Sequence, residues 1–238
     1  MERKNKLLIA IMIIAAIGVV AIILGTFLGG PDLTLGNKNI LVLAVDKNEQ
    51  PGGAIDMAFT VKLKNGSIKK YTPVYPGGKT HPSQPAPGHL SGKMFLHDAL
   101  WDGQEQGMEY AKEIVEANTN MSIDAVVIVT TEGIDAVIDS IRPFTIDGEE
   151  TELSAEDIVR ENDAYAGYPG SDKVSGTMSR GDAVMVLVKG LSQAATDTAK
   201  RNTMVQTALD QYSKGNIKMT PEGSFAALMA TKGFENLL

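Results

Sequence analysis

The 238-residue chain contains no cysteine. That removes disulfides, thiolate nucleophiles and cysteine-ligated zinc together, and leaves core packing to hold the fold. Positive charge is also short, with 22 Lys+Arg against 29 Asp+Glu and a net charge of −7. Nonspecific nucleic-acid binding depends on neutralising phosphates, so this balance argues against it. No serine sits in a G-x-S-x-G elbow, and no G-x-x-x-x-G-K-[ST] or G-x-G-x-x-G follows an apolar run. A serine-triad hydrolase and a nucleotide-binding loop therefore have no support. The three histidines, His81, His89 and His97, stand eight residues apart. That spacing matches no helical zinc motif, so they read as exposed residues in or near a loop. No internal repeat is visible.

What is present begins with one long apolar run. Arg3, Lys4 and Lys6 precede a charge-free stretch from Leu7 to Leu28. A helix of that length reaches about 33 Å, enough to cross the hydrocarbon core of a bilayer. A cleaved signal peptide has a shorter apolar region and a small-residue cleavage site, so an uncleaved anchor is the better reading; a cleaved secretory signal is the alternative. The basic flank should stay cytoplasmic. The expected organisation is a cytoplasmic stub (1–6), a transmembrane anchor (7–28), a linker (29–38) and an extracytoplasmic domain (39–238). Beyond the anchor the charge is 19 Lys+Arg against 28 Asp+Glu, and no second span appears.

The outer region alternates strand and helix patterns. "ILVLAV" (40–45) is continuously apolar and β-branched, as a strand buried on both faces would be. "IDMAFTVKL" is a second strand, and Asn65-Gly66 is a strong hairpin signal joining it to "SIKKYTPV". Residues 75–92 are rich in proline and glycine and read as a long loop. "KMFLHDALWD" and "GMEYAKEIVEANT" carry apolar residues at helical spacing. "IDAVVIVT" reads as a buried strand, followed by a short helix capped by Thr130 or Thr131. "FTIDGEETEL" reads as a small hairpin, and Ser154 opens a capping box. After a second loop (163–179), two amphipathic helices, an edge strand "NIKM" and a final helix capped by Thr220 complete the chain. Met108, Met185, Met204 and Leu209 fall at core-facing helical positions. The expected class is α/β, a central mixed sheet flanked by helices. Asn65-Gly-Ser and Asn120-Met-Ser are glycosylation sequons, a tripeptide frequent by chance.

Asp46 closes the first strand and Asp56 opens the second, with a Pro/Gly loop between them. Carboxylates at adjacent strand ends can hold Mg²⁺ while water and phosphate complete its octahedron. They can equally serve as turn residues. "VDKN" lacks the second aspartate of a D-x-D phosphatase loop, since Asn48 stands there.

The order of elements and several phrases resemble the LytR-CpsA-Psr (LCP) family of extracytoplasmic proteins. "NILVLAVD" (39–46) and "AIDMA" (54–58) stand where that family has "NILLLGVD" and "RSDTM". "YTPVY" stands for "SIPRD", "RGDAVMVLVKG" for "DGEQALAYVR", and "AKRNTMVQTAL" for "IERQQKVLKAL". The resemblance runs from about residue 38 to 215 and implies an LCP-like fold. It implies a role in cell-envelope biogenesis, transferring a glycopolymer from a polyprenyl-pyrophosphate carrier with a divalent metal. On this resemblance Asp46 and Asp56 are the catalytic and metal-binding carboxylates, and Lys189 and Arg201 bind phosphate. Lys47 partly replaces a lost arginine. Two arginines of the family are missing, replaced by Ala54 and Val74. No alanine or valine pairs bidentately with phosphate. The chain therefore resembles a divergent, archaeal-type branch (domain of unknown function 4012). Two functions stay open: binding of a polyprenyl-(pyro)phosphate or envelope glycan without turnover, and an active Mg²⁺-dependent phosphotransferase. A non-catalytic scaffold is the third reading.

Overall fold

The computed structural model describes residues 33, 35–74, 78–164 and 176–224. The expected anchor (7–28), the centre of the second long loop and most of the last helix lie outside the described residues. Within them, no helix is long and apolar enough to cross a membrane.

Nine strands and five helices are described. They are β1 (Asn37–Asp46), β2 (Ala54–Lys64), β3 (Ser67–Val74), β4 (Thr80–Pro85), β5 (Lys93–Phe95), α1 (Gln104–Thr119) and β6 (Ala125–Thr130). Then follow α2 (Thr131–Ser140), β7 (Phe144–Ile146), β8 (Glu149–Thr151), α3 (Ala155–Asn162), α4 (Arg180–Ala194), α5 (Thr198–Ser213) and β9 (Ile217–Thr220). The main sheet has the order β3-β2-β1-β6-β9. β1 and β6 run parallel, while β2, β3 and β9 are antiparallel to their neighbours. This is the mixed sheet expected from the sequence.

β1 is continuously apolar from Ile40 to Val45 because both its faces are covered there. Leu41, Leu43 and Val45 join a cluster with Leu96, Leu100 and the α1 residues Met108, Ala111, Ile114 and Val115. Ile40 and Val42 face the other way, into a cluster that includes Val127, Met219 and Leu209 of α5. A third cluster joins α2, α3 and α4 through Ile138, Ile158 and Leu187, with Phe144 of β7. Burying each such side chain contributes on the order of 1.5–3 kcal/mol.

The local signals act as read. Asn65 and Gly66 both take positive φ, the geometry of a tight hairpin turn, and Asp147-Gly148 repeats it between β7 and β8. Thr130 caps α2 by accepting from Gly133 N–H, and Ser154 caps α3 by accepting from Asp157 N–H. Three segments differ from expectation. Thr220, expected to cap the last helix, is the final residue of β9 and pairs with Val126, and a turn over 221–223 follows it. Part of the proline-rich loop is strand β4, paired irregularly with β5. "KMFLHDALWD" is β5 followed by a single 3₁₀ turn (96–98), not a helix. Met94, Leu96, Ala99 and Leu100 are still buried, while Phe95 is exposed: pairing with β4 extends the start of the segment, and the loop after β1 packs on the turn.

Candidate functional site at the sheet edge

Because β1 and β6 are parallel, their C-terminal ends share one edge of the sheet. The antiparallel neighbours bring their N-terminal ends to it: Ala54 of β2 faces Asp46, and Ile217 of β9 faces Val129. The β1–β2 loop, the start of α2 and Asn216 therefore gather at this edge. Ligands of open α/β sheets bind at such strand ends.

A β-bulge shapes the site. Val45 faces Ile55 and Ala44 faces Met57, with Asp56 as the extra residue between them. Ile55 and Ala58 pack in one core cluster, while Met57 packs against the cluster of α2, α3 and α4. The inserted residue turns Asp56 out of the alternation, as bulges do near functional sites.

The loop is fixed from two sides. Asp46 Oδ1 accepts from Asn48 N–H at 2.8 Å, an Asx turn that closes the start of the loop. Gln50 Nε2 donates to the carbonyl of His97 at 3.2 Å and, more loosely, to that of Gly53 at 3.4 Å. Gly52 lies so close to the 3₁₀ turn that a Cβ would meet Leu100 O at 1.8 Å. Glycine alone permits this contact, and Gly52 also has positive φ (+74°).

This docking brings Glu49, Asp56 and His97 together. Each offers a ligand atom, and the three atoms lie within 4.8 Å of one another. His97 Nε2 is 3.3 Å from Glu49 Oε1, and His97 Nδ1 is 2.7 Å from Asp98 Oδ1. Asp98 is only 6% exposed. Burial lowers the pKa of His97. The hydrogen bond and charge of Asp98, with the charges of Glu49 and Asp56, outweigh that effect and leave the pKa raised. The donors are one imidazole nitrogen and two carboxylates. They fit an ion that accepts nitrogen better than they fit the all-oxygen shell of Mg²⁺.

Lys47 bridges the edge. Its Nζ donates to Asn216 Oδ1 at 3.1 Å and lies 3.2 Å from Glu132 Oε1 in the first turn of α2. Burial tends to raise the pKa of Glu132. Its own backbone N–H, the Thr130 hydroxyl and Lys47 together lower it.

The residues singled out from the sequence thus separate. Asp46, Asp56 and Lys47 meet at the edge, with Asp46 holding the turn. Lys189 is exposed and pairs with Asp147 Oδ1 of the β7–β8 turn at 2.5 Å. Arg201 donates to the Ala195 carbonyl at 3.4 Å and to Thr198 Oγ1 at 3.3 Å. Among the described residues neither cation forms an ion pair with Asp46. Glu49 was not singled out, and His97 was read as an exposed loop residue. Their spacing carries no motif, because the loop's docking on the 3₁₀ turn is what joins them. His81 differs too. It is 1% exposed, accepts from the N–H groups of Ser83 and Gln84 at Nδ1, and meets Glu113 at Nε2. Ala54 is fully buried, and Val74 is 4% exposed within the core.

A family model described as "Protein of unknown function (DUF4012)" matches residues 36–165. No curated protein matches the chain. Among solved structures, protein gbs0355 of Streptococcus agalactiae is similar at a TM-score of 0.54 and 15% identity, over 83% of this chain and 74% of that one. A protein of Enterococcus faecalis described as a transcriptional regulator (EF0465) is similar at a TM-score of 0.54 and 14% identity, over 85% of this chain and 73% of its own. The LytR-Csp2A-Psr enzyme of Actinomyces oris scores 0.48 at 14% identity, over 83% and 76% of the two chains. The first two likenesses show the fold.

Proposed function

The chain belongs to the DUF4012 family of proteins of unknown function, and we propose that it is a membrane-anchored, extracytoplasmic LCP-like protein of cell-envelope biogenesis. It binds a polyprenyl-(pyro)phosphate or envelope glycan without transferring it. The ordered LCP-like phrases of the sequence support the envelope role. The apolar run from Leu7 to Leu28, with its basic flank, supports the anchor.

One observation carries the non-catalytic reading. The two positions where the LCP resemblance calls for phosphate-gripping arginines hold Ala54 and Val74, and both are core residues. A guanidinium at position 74 would enter the apolar cluster of Val45, Ile55 and Ala58, and one at position 54 would replace a side chain with no exposed surface. The loss is built into the packing, and a neighbouring side chain does not easily reverse it.

The test is native mass spectrometry of the full-length protein extracted in detergent, together with an assay for release of polyprenyl phosphate from a polyprenyl-pyrophosphate sugar. A copurifying lipid phosphate or bound glycan without turnover is the expected result. Mg²⁺-dependent turnover that Asp56→Ala abolishes would establish the transferase instead. An empty protein with no turnover would leave the scaffold reading.

A further inference from the structure

We propose that Glu49, Asp56 and His97 form a binding site for one divalent transition-metal ion of the Zn²⁺ type, with Asp98 as the residue that orients His97. The site stands on these four side chains and does not depend on the envelope reading.

Three features of the geometry support it. First, the 3.3 Å between His97 Nε2 and Glu49 Oε1 is the spacing of two zinc ligands. Ligands about 2.0–2.1 Å from a tetrahedral ion lie roughly 3.4 Å apart. Asp56 completes a three-residue set whose ligand atoms all lie within 4.8 Å of one another.

Second, His97 has the outer partner that metal-bound histidines require. Its Nδ1–H donates to Asp98, which is buried and lies 2.7 Å away. This fixes the tautomer that leaves Nε2 to carry the metal, and it raises the basicity of the ring. An exposed histidine that only filled space would not need a buried carboxylate behind it.

Third, each ligand is placed by a distinct structural device. A β-bulge turns Asp56 toward the edge. The Gly52 contact and the Gln50 hydrogen bond dock the loop that carries Glu49 onto the turn that carries His97. Three protein ligands leave an open position, the arrangement of zinc sites that accept a water or a phosphate oxygen. An imidazole favours Zn²⁺ over Mg²⁺, which prefers oxygen and gives up its waters reluctantly.

The full-length chain, stripped of metal, is titrated with ZnCl₂ and separately with MgCl₂ by calorimetry. One Zn²⁺ per chain is expected, bound at least 100-fold more tightly than Mg²⁺. Glu49→Gln changes an exposed residue and should leave the fold intact while weakening Zn²⁺ at least tenfold. His97→Ala should do the same, and Asp98→Asn should weaken it by about 10–100-fold without touching the ion. Diamagnetic Zn²⁺ supplies a second readout, since it should stop the His97 imidazole from titrating with pH in NMR while His81 and His89 behave as in the metal-free chain. The proposal is overturned if no Zn²⁺ binds, if Glu49→Gln binds it as tightly as the parent, or if Zn²⁺ acts on another histidine and not on His97.

Discussion

Replacing Gly52 by alanine separates two costs that a positive-φ glycine can hide. Gly52 (φ +74°) and Gly36 (φ +71°) have nearly the same backbone conformation. Alanine at either position therefore pays a similar left-handed penalty, about 1–2 kcal/mol. Their surroundings differ. A Cβ at Gly36 meets nothing within 4 Å, whereas one at Gly52 meets Leu100 O at 1.8 Å and Trp101 O at 3.2 Å. Carbon–oxygen contacts run about 3.3–3.6 Å, so the loop must retreat from the 3₁₀ turn by roughly 1.5 Å. That retreat costs about 1–3 kcal/mol as overpacking. Losing the hydrogen bond from Gln50 to the His97 carbonyl adds about 1 kcal/mol. Gly52→Ala should therefore be less stable than Gly36→Ala by about 2–4 kcal/mol. Thermal and urea unfolding of the full-length variants, followed by circular dichroism, measure the gap. A chain of this size loses about 2–4 °C of Tm per kcal/mol. Equal stability of the two variants, within about 0.5 kcal/mol, would refute the claim that the loop is clamped on the turn.

Three further outcomes follow from the same geometry. Ala54→Arg should lower stability by several kcal/mol in urea unfolding, because it buries a guanidinium in the core; a variant as stable as the parent would show that the site has room for the arginine. Asp46→Ala should cost about 1 kcal/mol through its Asx turn and weaken Zn²⁺ less than Asp56→Ala does; the reverse order, read by calorimetry, would move the ligand to Asp46. Glu132, whose pKa is lowered in the folded state, stabilises the fold above its ordinary value of 4.5 and loses that contribution as pH falls through the folded pKa. Lys47→Met should therefore shrink the difference in Tm between pH 6 and acid, and an unchanged difference would remove Lys47 from the account.

Much of the fold was legible in the sequence because its signals are local. The continuous apolar run of β1 announces burial on both faces, and Asn65-Gly66 and Asp147-Gly148 announce their turns by needing positive φ. Thr130 and Ser154 declare helix starts because their hydroxyls satisfy N–H groups within three residues. The misread segment, 93–102, shows the limit. Its apolar spacing fits a helix, but pairing with β4 makes its start a strand, and that pairing is invisible to a local pattern.

The sequence by itself determined the α/β class, the two carboxylates bracketing the first loop, and the absence of arginine at positions 54 and 74. Each of these depends on residue type and near neighbours alone. Only the tertiary structure decided where the carboxylates sit. Asp46 accepts a turn hydrogen bond from Asn48 N–H, while Asp56, the extra residue of a bulge, lies beside Glu49 and His97, the latter forty-one positions further along the chain. Such a site depends on a loop packing against a distant turn, and sequence spacing does not encode that contact.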